Sequence, residues 1–270
     1  VVGFEMEFYL ADPQGGNDGK PDAPASPLTG AKPIRDGVLA IDEVNDHDSL
    51  INEIYAACKL QMIEADTTIS EAGLGQFEIN LVHSHDAMKA ADDAAFFKQI
   101  AKGVARKHGL AASFMAKPYA DRPGNGMHLH ISLLDGKGRN IFDDGSDAGS
   151  PVLGHALAGA LAGLADSMLI FAPHQNSYRR FAIESHAPMA VCWGYENRTA
   201  ALRVPLGPPS QRRIEHRVSG ADANPYLVLA AILGAILTGL EYQKPPPPPI
   251  TSSSYSLDLP TLPSSWGGAI

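Results

Sequence analysis

The sequence predicts an α+β fold in which helices pack on one face of a largely antiparallel sheet. Strand-like stretches outnumber the candidate crossover helices and often follow one another directly, which disfavours a doubly wound parallel sheet. Several of these stretches alternate ionisable and apolar residues, as strands do when only one face of their sheet packs on a core. With 270 residues and 44% apolar content, the chain can bury a sizeable core.

The first half of the chain predicts two strands and two helices. A strand pattern covers residues 1–10, and the Pro-, Gly- and Asp-rich segment 12–36 predicts a long surface loop or hairpin. Apolar residues at helical spacing predict a helix over 46–60, and GQFEINLV predicts a strand. Residues 86–108 are predicted to form a helix that begins at an Asp cap and stops before a glycine.

The second half predicts shorter strands between two apolar helices. LAASFMAKP and MHLHISLLD are predicted as paired strands joined by the loop DRPGNG. Small residues in the next predicted helix allow close packing. The remaining predicted elements are helix 152–171, short strands near 189–193, 200–204 and 214–218, and helix 224–242. Residues 1–243 are therefore predicted as one domain.

The composition changes after Gln243, where a run of five prolines begins. Successive prolines favour an extended polyproline II segment without ladder hydrogen bonds. We expect residues 244–270 to form a Pro/Ser-rich tail that follows the surface or is poorly ordered.

Charge and cysteine content narrow the class of protein. A net charge of −9 argues against nucleic acid or an anionic membrane as a partner. Cys58 and Cys192 lack metal-ligand or redox spacing, which favours two buried free thiols over a disulfide. The N-terminus shows no signal-peptide pattern, and the apolar stretch 225–240 falls short of the roughly 20 residues that span a bilayer. These features predict a cytoplasmic protein.

Three strand-like stretches place acid or base at every second residue. They are GFEMEF with Glu5 and Glu7, GMHLHIS with His128 and His130, and RRIEHRV with Arg213, Glu215 and Arg217. Residues two apart share one face of a strand, so each stretch displays its ionisable groups together. A solvated sheet face is the commoner origin of one such pattern, but its recurrence favours a metal and phosphate site.

Carboxylates would bind the metal ions of such a site, and guanidinium groups would bind phosphate. Glu71 and Glu78 add to the acids, and oxygen ligands with one imidazole suit Mg²⁺ or Mn²⁺. Guanidinium groups suit phosphate and carboxylate, although any single one of them is more often a surface ion-pair partner. The candidate arginines are Arg180, Arg198, Arg203, Arg213 and Arg217.

With GLGQFEIN, NSYRRF, ENRTAALRVP and DANPYL in the same order, the chain from Gly3 to about Leu240 resembles the catalytic domain of the glutamine synthetase superfamily. GQFEIN, FMAKPY, WGYENRT and RRIEHRVSGADANPYL are most similar to the gamma-glutamylpolyamine synthetase branch. The resemblance implies ATP, two or more Mg²⁺ or Mn²⁺ ions and small-molecule substrates. It also implies a homo-oligomeric ring for the full-length protein. Family members carry a β-grasp domain before the first strand and further helices at the end, and both lie outside this sequence.

The resemblance also implies residue roles. Glu7, Glu71 and Glu78 hold one metal, and Glu5, His128 and Glu215 hold the other. His130, Ser132 and Arg213 face the nucleotide, with Arg213 beside the transferring phosphoryl group. Gly124, Arg180 and Arg217 hold glutamate, while Arg198 and Arg203 flank the phosphoryl group.

One position departs from the family pattern. Where glutamine synthetases carry a flap glutamate that binds ammonium, RRFAIESHAP places His186. A neutral imidazole holds a small cation less well but can still act as a base, which favours an organic amine. Glu184 is the alternative after a small loop shift.

These features predict an ATP-dependent ligase that joins the γ-carboxyl of glutamate to a primary amine through a γ-glutamyl phosphate. Three alternatives stay open at this point: a glutamine synthetase that uses ammonia, a non-catalytic relative that keeps the fold, and a metal-dependent hydrolase. The five arginines disfavour the hydrolase.

Overall fold

The computed structural model describes residues 1–16, 21–34 and 37–270, and an eight-stranded sheet is its central element. The strands are β1 (Val2–Ala11), β2 (Ala65–Ser70), β3 (Gln76–Leu81), β4 (Ala111–Ser113), β5 (Met127–Ile131), β6 (Trp193–Tyr195), β7 (Leu202–Val204) and β8 (Ile214–His216). Seven of them lie in the order β2-β3-β1-β5-β8-β7-β6, and β4 also pairs with β1. The β6–β7 pair is parallel and the other pairs are antiparallel. The predicted fold class is confirmed.

Six α-helices lie within the described residues. They are α1 (Ile41–Asp46), α2 (Asp48–Leu60), α3 (Ala87–Lys107), α4 (Pro151–Ala162), α5 (Met168–Phe171) and α6 (Pro225–Tyr242). The Asp86 side chain caps α3 by accepting hydrogen bonds from the backbone N–H groups of Met88 and Lys89. The prediction of a single helix over 152–171 is wrong: α4 ends at Ala162, with Gly163 as its C-cap, and the separate short α5 begins at Met168.

The alternation in β1 separates the core from the opposite face of the sheet. Phe4, Met6 and Phe8 are at most 1% exposed and pack in the main hydrophobic core with α2 and α3. Glu5 and Glu7 extend from the other face because successive side chains in a strand point to opposite sides. One long strand thus joins the core to the polar face.

Two details of the predicted sheet are wrong. β4 and β5 do not pair with each other, because the ten residues of β1 accommodate both, β5 along Val2–Met6 and β4 along Tyr9–Ala11. The strand β2 was not predicted, since ADTTIS lacks a strict apolar alternation. In the predicted loop over 12–36, an isolated bridge pairs Asp12 with Asp22, and residues 17–20 and 35–36 lie outside the described residues.

Helix α6 is the one helix in the described part of the chain that is long and apolar enough to cross a membrane. Val228, Ile232 and Ile236 are nevertheless buried in the core. A Cβ added to Gly159 of α4 would come within 2.6 Å of the backbone of Gly239, so the two helices cross in close backbone contact. The close packing that was predicted from the small residues of α4 is therefore present.

The tail follows the surface of the domain. The Trp193 indole N–H donates to the Pro247 carbonyl at 2.7 Å, and the Ile250 N–H donates to the Trp193 carbonyl at 2.9 Å. Further along, the Tyr255 hydroxyl donates to the Ala187 carbonyl at 2.9 Å. The tail therefore lies against β6 and the segment that precedes it, and the domain boundary at residue 243 stays a prediction.

Candidate active site

The sheet register brings the predicted metal ligands together. Glu5 is paired with His128, Glu7 is paired with Glu78, and His130 is paired with Glu215. These residues lie on the face of the sheet opposite the hydrophobic core. Because the ionisable residues alternate along their strands and the strands pair with each other, their side chains form one cluster.

One part of the cluster, which we call the guanidinium half, contains Glu5, His128, His130, Arg203, Glu215 and Arg217. The His130 Nε2 lies 2.6 Å from a Glu5 oxygen and the His128 Nδ1 lies 3.2 Å from the other. The fully buried Glu215 accepts from the Arg203 Nη1 at 2.6 Å and from the Arg217 Nη1. Both carboxylates are thus paired with cationic or proton-donating groups of the protein.

These partners decide the protonation state of the guanidinium half. Burial alone would raise the pKa of Glu5, but hydrogen bonds from His128 and His130 hold it well below its usual range. Burial likewise opposes ionisation of Glu215, yet Arg217, His130 and His128 lower its pKa to about 2. Both groups are therefore carboxylates at neutral pH.

The other part, which we call the carboxylate half, consists of Glu7, Glu71 and Glu78. Burial, followed by the charge of Glu7, raises the pKa of Glu71 to about 7. Burial and the neighbouring carboxylates raise the pKa of Glu78 well above its usual value. Because neighbouring carboxylates repel each other, a cation beside them would relieve this repulsion, and Glu78 also belongs to a candidate metal-ligand set.

Two overlapping ligand sets are compatible with a bound metal ion. In each set, one ligand atom per residue lies within 4.8 Å of the others; the sets are Glu5, Glu78 and His128, and Glu5, His130 and Glu215. Carboxylate oxygens with one imidazole suit Mg²⁺ or Mn²⁺. Glu5 belongs to both sets and His130 belongs to one of them, and the division of the ligands between two ions stays a prediction.

The contacts of His130 fix its tautomer. The Arg213 Nε donates to the His130 Nδ1 at 2.9 Å, so the ring proton is on Nε2 and points at Glu5. A cavity of about 230 Å³ beside these residues is also lined by Gly3, Asp66 and His83. The predicted nucleotide residues His130 and Arg213 thus share one cavity, and the Ser132 hydroxyl donates to the Arg212 carbonyl nearby.

A glycine-bearing loop over 123–126 lies between the carboxylate half and Arg180. The Gly126 N–H donates to Glu7 at 2.6 Å. A Cβ on Gly126 would come within 2.7 Å of the His128 Nε2, and one on Gly124 would come within 2.7 Å of the Arg180 Cγ. A Cβ on Gly124 would also come within 2.5 Å of the Ala116 carbonyl oxygen, so glycine is required there, whereas a side chain at position 126 would have to displace His128 or Arg180.

The structure also places the other predicted residues. Arg180 is buried and donates to the carbonyls of Val218 and Arg217, while the Arg217 Nε donates to the Arg198 carbonyl. The Arg198 side chain is exposed, and its charge acts to lower the pKa of Glu71. His186 is exposed and, among the described contacts, has none with the carboxylates.

Three polar residues support the site but were not predicted as site residues. The Gln76 amide donates to Asn125 and to the Gly124 carbonyl, at 3.0 Å in both cases, which holds the glycine loop. Glu196 accepts from Arg203 through both carboxylate oxygens at 2.8 Å. Gln76 and Glu196 lie inside the motifs GQFE and ENRT, but sequence spacing does not reveal these long-range contacts.

Comparisons with known proteins identify the family of the chain. A family model described as glutamine synthetase, catalytic domain, matches residues 1–270. Gamma-glutamylputrescine synthetase PuuA of Escherichia coli K12 is 43% identical over 245 residues, which cover 91% of this chain and 52% of the relative. Glutamate–isopropylamine ligase of a Pseudomonas species is 37% identical over 260 residues, which cover 94% and 55%.

Solved structures show the same architecture. Ligand-free GmaS superposes with a TM-score of 0.86 at 32% identity, covering 99% of this chain and 61% of that one. The chain belongs to the glutamine synthetase catalytic-domain family. It spans about half the length of the curated relatives named above. Membership of this family implies the use of ATP and a divalent metal, and the oxygen-rich donor set fits such an ion.

Proposed function

We propose that the complete protein is an ATP-dependent ligase that joins the γ-carboxyl of glutamate to a primary organic amine. The similar relatives are named for putrescine, isopropylamine and ethanolamide chemistry, at 43%, 37% and 39% identity. Glutamine synthetases that are 39–40% identical keep ammonia as the alternative nitrogen donor.

The observation that carries this proposal is the contrast in charge across one continuous cluster. Glu7, Glu71 and Glu78 would hold one divalent ion, and Glu5, His128 and Glu215 would hold another. Such ions, Mg²⁺ or Mn²⁺, would neutralise phosphate oxygens and orient the reacting groups. The carboxylates suit this role because burial, followed by the charges of neighbouring carboxylates, raises the pKa values of Glu71 and Glu78, and a bound cation would offset both effects.

The arginines and the glycine loop would position the substrates. In this proposal Arg180, Arg217 and Gly124 hold glutamate, and His130, Ser132 and Arg213 face the nucleotide. Arg198 and Arg203 lie beside the phosphoryl group as the γ-carboxylate oxygen attacks it and ADP leaves. The amine nitrogen then attacks the acyl carbon and phosphate departs, while a base accepts the proton from nitrogen.

The segment with His186 is proposed to select the amine. Glu184 and His186 both have positive φ, at 62° and 56°, in an exposed bend. A neutral imidazole can accept a proton but binds ammonium more weakly than a carboxylate does, which favours an organic amine. Replacing His186 with Glu should increase the use of ammonium relative to the organic amine.

A phosphate-release assay with a panel of amines tests the function. The complete protein with ATP, glutamate and Mg²⁺ or Mn²⁺ should release phosphate with putrescine, isopropylamine or ethanolamine. Comparable turnover with ammonium alone would instead indicate a glutamine synthetase. For substitutions of the site carboxylates, Glu241→Gln is a matched control, because this exposed carboxylate lies on α6, away from the cluster.

A non-catalytic protein that keeps the fold is the remaining alternative. Calorimetric titration with Mn²⁺ separates the two, since the carboxylate half should bind the ion and Glu78→Gln should weaken binding. Absence of binding in the wild type would favour the non-catalytic alternative. A homo-oligomeric ring and a cytoplasmic location remain predictions, which the mass of the complete protein in solution and cell fractionation would test.

A further inference from the structure

Glu196 lies beside the guanidinium half, and the assigned roles leave it unused. It follows β6 in a left-handed backbone conformation with φ of 50°, which is uncommon for a residue with a side chain. Its N–H donates to the Val204 carbonyl at 3.1 Å. This turn places the Glu196 side chain beside β7, the strand that carries Arg203.

The Glu196 carboxylate is held by two separate donors. The Arg203 Nη2 donates to both of its oxygens at 2.8 Å, and the Leu206 N–H donates to Oε1 at 2.8 Å. Burial opposes its ionisation, but the hydrogen bond from Arg203 lowers the pKa of Glu196. The side chain is 37% exposed, so this contact is less enclosed than that of Glu215.

Arg203 therefore lies between two carboxylates. Its Nη1 donates to Glu215 at 2.6 Å, and its Nη2 donates to Glu196. The buried Nε has no hydrogen-bond partner within residues 1–16, 21–34 and 37–270. The hydrogen bonds described for this guanidinium thus come from two carboxylates, Glu215 and Glu196.

The two carboxylates differ in whether they are candidate metal ligands. Glu215 is a candidate metal ligand, so an ion that binds its oxygens competes with Arg203 for them. Glu196 is absent from both candidate ligand sets. Its hold on Arg203 is therefore independent of metal binding.

We propose that Glu196 is a positioning residue that fixes the Arg203 guanidinium for phosphoryl transfer while Glu215 binds metal. The inference rests on the proposed ligase function. Misplacing a catalytic group by about 1 Å can cost on the order of 100-fold in rate. Glu196 therefore acts through Arg203 and has no contact of its own with the reacting atoms.

The test uses the complete protein with Glu196→Ala, Glu196→Gln and the control Glu241→Gln. Glu196→Ala should lower kcat by about 10- to 100-fold, while the KM for glutamate and the Mn²⁺ affinity change by less than about threefold. Glu196→Gln keeps one acceptor oxygen and should lose less. In an Arg203→Ala background, Glu196→Ala should have little further effect, because its action passes through Arg203.

Two outcomes would overturn the inference. One is an unchanged kcat in Glu196→Ala. The other is a full additional loss in the Arg203→Ala background, which would indicate a separate structural role. If the wild type forms no γ-glutamyl amide with any amine, the proposed function fails. The positioning role is then tested by comparing the Arg203 guanidinium in crystal structures of the wild type and Glu196→Ala. A guanidinium that keeps its position without Glu196 would refute the positioning role.

Discussion

The two halves of the candidate site contain similar numbers of carboxylates but balance their charge in different ways. In the guanidinium half, Arg203 and Arg217 pair with Glu215, and its pKa falls to about 2. In the carboxylate half, Glu71 lies among other acids, and burial with the charge of Glu7 raises its pKa to about 7. In the first half the protein supplies cationic partners for the carboxylates, whereas in the second half the carboxylates raise one another's pKa.

One sheet therefore carries a carboxylate cluster that stabilises the folded state and another that destabilises it. Where the chain supplies the counter-charges, the buried carboxylates hold neighbouring strands together. Where it does not, folding retains repulsion that a bound divalent ion relieves. Substitutions in the two halves should therefore change stability in opposite directions.

The largest effect should come from removing a carboxylate of the carboxylate half. Glu78→Gln should lower phosphate release by about 1,000-fold or more, equivalent to about 4 kcal/mol, because a metal site loses an anionic ligand. At pH 8 in chelator, the same variant should be more stable than the wild type, because burial and the neighbouring carboxylates oppose ionisation of Glu78. Steady-state kinetics and urea denaturation at fixed protein concentration measure the two effects.

The opposite result is expected for Glu215→Gln. Loss of this buried carboxylate leaves Arg203 and Arg217 without a common anionic partner, so the metal-free protein should lose about 3 kcal/mol of stability. The same denaturation assay measures it, with Glu241→Gln as the control. Equal stability changes in Glu78→Gln and Glu215→Gln would contradict the division into two halves.

A smaller effect is expected where the halves meet. In Gly126→Ala the new methyl would come within 2.7 Å of the His128 Nε2 and 2.9 Å of the Arg180 Nη2. We expect Mn²⁺ affinity and kcat to fall by about 10-fold, or about 1.4 kcal/mol. Gly136→Ala is the matched control because no atom lies within 4 Å of the new Cβ. Similar losses in both variants would show that the contact with His128 is unimportant.

The smallest effect concerns pH. The pKa of Glu71 is about 7 in the folded chain and 4.5 as its reference, so the folded state binds more protons between these values. Stability of the metal-free protein should therefore fall as pH rises from about 4.5 to 7. Partial exposure reduces the expected loss to about 1 kcal/mol. Thermal denaturation in chelator measures it, and saturating Mn²⁺ should remove the slope; a rising melting temperature over this range would contradict the assignment.

The polar face of the sheet was predictable from the sequence because its signal is local. Glu5, Glu7, His128 and Glu215 lie at alternate positions in short strands, and period-two alternation fixes the face on which they lie. The order of the motifs then supplied the family resemblance, which implied the roles of these residues. Their approach in the structure follows from strand pairing, which juxtaposes Glu5 with His128.

Other features depended on contacts that spacing does not encode. The partner of β4 is decided by the length of β1, which leaves room for two short strands on one side. The contact of Glu196 with Arg203 requires a left-handed turn at a non-glycine residue, for which ENRT carries no recognisable signal. The overlap of the ligand sets at Glu5 depends on side-chain rotamers rather than on residue order.

The path of the tail beside β6 bears on aggregation. β6 ends the strand order of the sheet, and such an edge offers free backbone groups to any other chain. Here Ile250 donates to Trp193, and the Val191 N–H donates to the Pro260 carbonyl at 2.7 Å, so part of this edge already has intramolecular partners. Truncation at residue 243 would expose the backbone groups of this edge and favour intermolecular strand pairing.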